Sequence, residues 1–379
     1  MKRTMKKMVS MALTGTMAVA VLAGAGTSEV KAADKAKIGV LVADVSGEEA
    51  QGFRSYYENY IAGNYDVEFN YTDALQSAED EKTAIEKFAS QGCQAIISFS
   101  SNDRVQQIET CEKYGVYYAV ASGVLDDAQY ETYKTYFAGQ VGPGNDTEFE
   151  AGKDMGAYYK EQGVSKVAIY GAFIPNPMHV YRVAGVLNGL GCTYGGESDM
   201  NAIAGQIFQD QTVDLSKVEG DVEVVSYLQG YGDTTTDELN AAIQKTPDAF
   251  ISVGMATTFF AQSLSEAGIS FSDIDSFTET NGNSMKNGTL TYLAGKYSSS
   301  IGPVFALVMN AINGNVIRDE DGNAPSISQG YLVATDSDTF DKYSVSDSGD
   351  APIYDKETLD SIIGDNVTFE DVKTLVESK

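Results

Sequence analysis

Lys37-Ile-Gly-Val-Leu-Val-Ala43 is a short apolar run that breaks directly into Asp44-Val-Ser-Gly-Glu-Glu-Ala-Gln-Gly-Phe53. An unbroken apolar run of this length, without polar alternation, is the pattern of a strand buried on both faces, as in a parallel sheet. The loop that follows is polar and closes on an aromatic ring. Polar loops leaving the carboxyl ends of parallel strands are where open α/β sheets collect ligands. The stretch therefore reads as the start of an α/β fold that catches a ligand rather than transforming one.

Upstream, Lys2, Arg3, Lys6 and Lys7 precede an apolar run from Met8 to Ala25, and Val30-Lys31-Ala32 offers a small-residue cleavage site. This is the arrangement of an export signal over residues 1–32. Leu22-Ala-Gly-Ala25 has the form of a lipid-attachment box, with Ala25 where the lipidated cysteine would stand. The chain is thus expected at the cell surface or in a periplasm, without a lipid tether. It is either released after Ala32 or held by an uncleaved leader. No second apolar run approaches the roughly 20 residues of a membrane helix.

The 379 residues suffice for two domains. The formal net charge is −28, and removing five basic residues and one acid with residues 1–32 leaves −32. Such a chain does not seek nucleic acid or an anionic lipid surface. Cys93, Cys111 and Cys192 are too few and too odd in number for a disulfide framework. They read as buried thiols, with a Cys93–Cys111 pair left open.

Enzyme signatures are poor. His179 is the only histidine, and with three scattered cysteines it gives no zinc-ligand spacing. No G-x-S-x-G elbow or Walker loop is present, and Gly142-Pro-Gly144 reads as a turn. Asp319-Glu-Asp-Gly-Asn323 lacks the downstream glutamate of a calcium loop and reads as a solvated turn. No catalytic residue, metal or cofactor is assigned. A carboxylate pair of a secreted carbohydrate-active enzyme stays open as a lesser alternative.

From Lys37 onward, strands and helices alternate. Strands are expected at residues 37–43, 67–71, 95–98 and 117–121, with helices at 51–62, 77–91 and 103–114 between them. The pattern restarts with a long helix at 145–161. Strands at 166–170, 222–227, 249–253, 274–278 and 289–294 follow, with helices at 180–190, 236–245, 257–267 and 301–313. Such alternation predicts βαβ units with right-handed crossovers in two parallel-sheet, Rossmann-like lobes. Residues 195–221 read as an irregular, Gly-rich excursion, residues 344–352 as a polar break, and the tail from Lys356 as one or two helices.

The strand-end rule nominates residues 44–53, 99–103, 121–126, 171–179, 229–234, 254–257 and 278–283. Within them, Phe53, Phe99, Phe173, Tyr231 and Phe277 could stack on a flat ring or sugar face. Asn102, Asp103, Asp233, Glu279 and Asn281 could bond hydroxyl groups. Taken one at a time, each aromatic is read first as core, and His179 as a turn residue at the front of a helix.

Several segments resemble type I periplasmic binding proteins, the solute receptors of ABC importers. Phe137-Ala-Gly-Gln-Val-Gly-Pro-Gly-Asn-Asp-Thr-Glu-Phe-Glu-Ala-Gly152 resembles the segment that begins the second lobe. Arg182-Val-Ala-Gly185 resembles the R-x-x-G of its second helix, and Thr246-Pro-Asp-Ala-Phe250 the approach to a second-lobe strand. Two branches fit at different points. Phe53, Asp103 and Arg182 resemble ribose-type sugar receptors, while Gly254-Met255 stands where those carry Asn-Asp. The length of Asp44–Phe53, the loop Tyr231-Gly-Asp-Thr234 and Lys296 resemble nucleoside receptors of the basic-membrane-protein (PnrA-like) branch. Ala50 and Thr278-Glu-Thr280 depart from that branch.

The resemblance implies a multi-segment hinge with crossings near Ser122, Lys296 and Tyr331. It implies a first lobe of residues 34–122 plus 297–331 and a second of 123–296 plus 332–379. A monosaccharide or nucleoside would be captured between closing lobes. Glu49, Phe53, Asn102, Asp103, His179, Arg182, Tyr231, Asp233, Met255, Glu279, Asn281 and Lys296 are the expected ligand contacts. The partners would be importer permease subunits, the state a monomer, and no nucleic acid is involved. The alternative is a receptor presenting solute to a membrane signalling protein.

Overall fold

A computed structural model describes residues 35–123, 125, 135–347 and 351–379, so the expected leader lies outside the described residues. In the first half, β1 (Ala36–Leu41), β2 (Val67–Tyr71), β3 (Ala95–Ser98), β4 (Tyr117–Val120) and β5 (Phe137–Gly142) alternate with α1 (Glu48–Ser55), α2 (Ala78–Ser90) and α3 (Arg104–Tyr114). A π-helical turn, Tyr56–Ile61, extends α1. Then come α4 (Asn145–Glu161), β6 (Lys166–Tyr170), α5 (Pro177–Gly189), β7 (Thr193–Tyr194), α6 (Met200–Asp210) and β8 (Val218–Glu219). After them run β9 (Glu223–Leu228), α7 (Thr235–Gln244), β10 (Ala249–Ser252), α8 (Ala256–Phe259), α9 (Ala261–Ala267), β11 (Ser270–Ser276), α10 (Glu279–Lys286) and β12 (Leu290–Lys296). The chain ends with α11 (Gly302–Ile312), β13 (Ser326–Ser328), β14 (Leu332–Ala334), α12 (Ser337–Asp347), α13 (Lys356–Asp360) and α14 (Phe369–Glu377).

Two six-stranded sheets result, ordered β13-β5-β4-β3-β1-β2 and β14-β12-β11-β10-β6-β9. Every pairing in the first is parallel, and in the second only the β12–β14 edge is antiparallel. β1 pairs on both sides, and its Ile38, Val40 and Leu41 are fully buried, as its apolar run requires. Side-chain caps start the helices beside the strand ends: Asp103 accepts from Gln106 N at 2.9 Å, and Asn176 from Met178 N at 3.1 Å.

The lobe boundaries differ from those read in the sequence. β5 belongs to the first sheet, paired with β4 and β13, and all six of its residues are buried. Its glycines hid it: a Cβ on Gly139 would stand 2.8 Å from the Pro325 carbonyl oxygen. Ser122 therefore lies in a strand-end loop of the first sheet rather than at a crossing. The chain passes between sheets at Pro143–Gly144, at Tyr297, and through Gln329–Tyr331.

The tail also returns to the first lobe rather than staying with the second. Tyr56 donates its hydroxyl to the Tyr354 carbonyl at 2.6 Å, and Asn310 Nδ2 donates to the Ile362 carbonyl at 2.8 Å. Residues 195–221 are not wholly irregular, because α6 is capped by Asp199 and buries Ile203, Ala204 and Ile207. The polar break at 344–352 begins inside α12. The three cysteines are free and buried.

α4 and α5 meet through glycine. A Cβ on Gly152, Gly185 or Gly189 would stand 2.0 Å from a backbone oxygen of the other helix, and on Gly156 it would stand 2.4 Å away. The two backbones are therefore in direct contact behind the second sheet.

Candidate functional site

The loop after β1 builds one wall of a cleft. Asp44 Oδ1 accepts from Ser46 N at 2.9 Å and Oδ2 from Gly47 N at 3.0 Å, chiefly the former holding this carboxyl below its usual range. The turn leaves no room at Gly47, where a Cβ would lie 2.4 Å from Asp44 Oδ2. It launches α1 with Glu48 and Glu49 in the first turn, the favoured end for acidic groups. Phe53 follows one turn later and stacks on Phe99, with centroids 5.4 Å apart and planes 25° from parallel. Together with Tyr71 and Ser122 they line a cavity of about 220 Å³.

The strand ends of the second sheet face this wall across a cavity of about 380 Å³. Glu49 borders it from the first lobe, and His179, Met255, Asp275 and Lys296 border it from the second. Three contacts cross the gap. Lys296 Nζ lies 3.5 Å from Glu49 Oε1, Ser276 donates its hydroxyl to Glu49 Oε2, and Thr280 Oγ1 donates to Glu48 Oε1 at 2.7 Å. The first turn of α1 is thus docked on the ends of β11 and β12.

Two carboxyls of β11 stand behind these contacts. Asp273 is pushed up to about 8 by burial and then by the charge of Asp275. It accepts from Ser252 Oγ at 3.0 Å and from Thr257 N at 2.9 Å, which fixes the start of α8. Asp275 is raised by burial and then by Glu49. The site therefore gathers acceptors and one ammonium, a set suited to hydroxyl groups.

His179 is buried, and its Nδ1 accepts from Phe173 N at 2.9 Å. Burial first, and then the Arg182 charge, lower its pKa to about 3. The ring is neutral with its proton on Nε2, a fixed donor at the cavity edge. A depressed histidine pKa contributes stability that is complete above the unfolded value of about 6.5 and is lost as pH falls toward 3. Because the chain has one histidine, its ring proton NMR signal is unambiguous. That signal is expected to hold a constant shift from pH 8 to pH 5. A midpoint near 6.5 would contradict the buried geometry.

Arg182 borders the same cavity, but its nitrogens are occupied. Nε donates to Glu148 Oε2 at 2.6 Å, Nη1 to the Val253 carbonyl at 2.9 Å, and Nη2 to Glu148 Oε1 at 3.2 Å and to the Tyr331 hydroxyl at 2.6 Å. Burial opposes the guanidinium charge, and Tyr331 and Glu148 more than offset it, so its pKa rises. Arg182 is neither a solvated cation nor a free ligand hook; it ties α4 and α5 to the Tyr331 crossing.

Other expected contacts are placed elsewhere. The Glu81 carboxylate accepts from Asn102 N and Nδ2 and from Asp103 N, so both residues serve the loop after β3. Tyr231 is exposed and stacks on Phe259 at 4.1 Å and 15°. Phe277 packs on Phe340 and Tyr343. Asp233 and Glu279 are exposed. Asn281 is buried and donates to the Ser276 carbonyl at 2.8 Å, behind the cleft. Of the loop at 121–126, Val124 and Asp126 lie outside the described residues.

Glu48 and Thr257 lie in nominated loops without being singled out as contacts, and sequence reading missed Asp275 and Ser276. The available signal was Ser272-Asp-Ile-Asp-Ser276, a polar alternation inside β11, which begins four residues earlier than expected.

No family model matches the sequence, and no curated protein matches it. Solved structures do. An ABC transporter periplasmic solute-binding protein from Actinobacillus succinogenes with bound D-allose has TM-score 0.62 at 16% identity, over 82% of this chain and 100% of that one. The periplasmic binding protein component of the arabinose ABC transporter from Shewanella sp. ANA-3, bound to arabinofuranose, has TM-score 0.58 at 16% identity, over 83% and 96%. A Bacillus halodurans solute-binding protein with bound myo-inositol has TM-score 0.57 at 16% identity, over 83% and 99%. At such identities the likeness is one of architecture: the chain has the two-lobed fold of the type I periplasmic binding proteins.

Proposed function

We propose that this chain is an exported solute receptor of an ABC importer that captures a sugar or cyclic polyol between its lobes. The observation that carries this is the interlobe cavity itself. Two cavities meet at Glu49: Phe53, backed by Phe99, gives one an apolar face, while His179, Asp275 and Lys296 give the other directional polar groups. Sugar rings present the matching chemistry, an apolar C–H face and a rim of hydroxyls. The sugar and inositol ligands named for the similar structures agree with it.

In this reading Glu49 and Lys296 hold the lobes together without ligand and share their hydrogen bonds with ligand hydroxyls when it enters. Charged partners make these bonds stronger than neutral ones. A ligand lacking a hydroxyl leaves a buried group unpaired, and the resulting penalty supplies specificity. Export by the leader, a monomeric state and delivery to permease subunits belong to the same reading. A nucleoside fits less well, because the ligands named for these similar structures are sugars and a cyclic polyol.

A thermal-shift screen of monosaccharides, polyols, nucleosides and amino acids tests this. A ligand at 100 times its Kd stabilises by about 2.7 kcal/mol, enough for a shift of several degrees. At least one sugar or polyol is expected to shift Tm. Shifts confined to nucleosides or amino acids would overturn the proposal.

A further inference from the structure

We infer that the second lobe carries a shelf for a further sugar ring, so that the preferred ligand is a disaccharide or longer glycoside rather than a single ring. This rests on the sugar reading above and specifies its ligand. Among the described residues, seven large hydrophobic side chains are exposed, and three of them stand on neighbouring strand-end loops of the second sheet: Phe173 (42%), Tyr231 (59%) and Met255 (37%). Exposed apolar groups gathered in one patch mark a binding surface rather than chance.

The patch is built and not loose. Gly230 N donates to the Ala172 carbonyl at 2.5 Å, which locks the Tyr231 loop to the Phe173 loop. Tyr231 stacks on Phe259, and Phe259 N donates to the Met255 carbonyl at 3.2 Å, which locks it to α8. Ala172 and Met255 hold positive φ of 48° and 69°, conformations that residues with a Cβ rarely adopt and that persist where the surroundings impose them.

The shelf is continuous with the interlobe cavity. Met255 borders both, and Phe173 lies against His179 with ring centroids 6.0 Å apart. Thr257 lines the same cavity as Met255 and His179 at 7% exposure, and its Oγ1 has no hydrogen-bond partner. A buried hydroxyl left unpaired in the cavity wall is a group that a ligand hydroxyl would satisfy. Tyr231 supplies a flat face for the second ring, and the exposed Asp233 beside it supplies an acceptor at the rim.

Calorimetry of the purified chain with glucose, galactose, maltose, cellobiose and lactose tests the shelf. A disaccharide is expected to bind about tenfold more tightly than its component monosaccharides. Tyr231→Ala and Phe173→Ala should each reduce that disaccharide-to-monosaccharide ratio by about five- to tenfold. Because the readout is a ratio within one variant, a general loss of folded protein does not imitate it. Monosaccharides binding as tightly as disaccharides, or a ratio unchanged in both variants, would overturn the shelf and leave the sugar reading intact. Binding of none of these sugars, together with no sugar or polyol shifting Tm in the screen, would overturn both.

Discussion

Arg182→Met is expected to lower the free energy of unfolding by about 3–5 kcal/mol, measured by urea denaturation followed by circular dichroism. The substitution keeps the apolar stem and removes the charge. Glu148, 2% exposed, then keeps the Tyr331 hydroxyl but loses the two guanidinium bonds at 2.6 and 3.2 Å. The Val253 carbonyl loses its donor as well. An uncompensated buried carboxylate is what makes one-sided removal of such a pair severe, whatever the pair's net worth. Pairing Arg182→Met with Glu148→Gln should recover a large part of the loss. A single variant as stable as the parent would show that water reaches Glu148 and that the network is not closed.

Gly185→Ala is expected to cost about 3 kcal/mol, the upper end for inserting a methyl into packed space. The new Cβ would stand 2.0 Å from the Phe149 carbonyl oxygen and 2.8 Å from Lys153 N. Both are backbone atoms of α4 and cannot rotate aside, so the helices must separate. Gly205→Ala is the matched control: it also lies in a helix, but nothing stands within 4 Å of its Cβ. There the change should stabilise by about 0.5–1 kcal/mol through helix propensity. Equal effects at the two positions would contradict backbone contact between α4 and α5.

These two residues share one motif, and they show where sequence reading reached and where it stopped. Arg182-Val-Ala-Gly185 marks the second-lobe helix because Gly185 must face α4, and one turn places Arg182 beside Glu148 at the start of α4. The motif reads as a ligand hook only until Glu148 is brought within reach, 34 residues earlier in the chain. Asn102 and Asp103 follow the same rule. The strand-end loop was legible, but the claim of Glu81 on them comes from α2.

β1 was legible because burial on both faces removes all alternation from its sequence. β5 was not, because Gly139 and Gly142 give a buried strand the composition of a turn. β11 was misplaced for the opposite reason. Its interior carries Ser272 and Asp273, which are fully buried yet paired, Ser272 with Met155 and Asp273 with Ser252 and Thr257. Asp275, the carboxyl nearest the cleft, was lost with that boundary. The Asp44–Phe53 loop could be placed from sequence alone because its Asx turn and first-turn glutamates are local.

The most direct test of capture at Phe53 is calorimetry of the sugar or polyol that gives the largest thermal shift, titrated into the parent chain and into Phe53→Ala. One-to-one binding to the parent is expected, with affinity about 10–100-fold weaker in the variant, the loss of one buried aromatic face. Equal affinity in the two chains would contradict capture of the ligand against that ring.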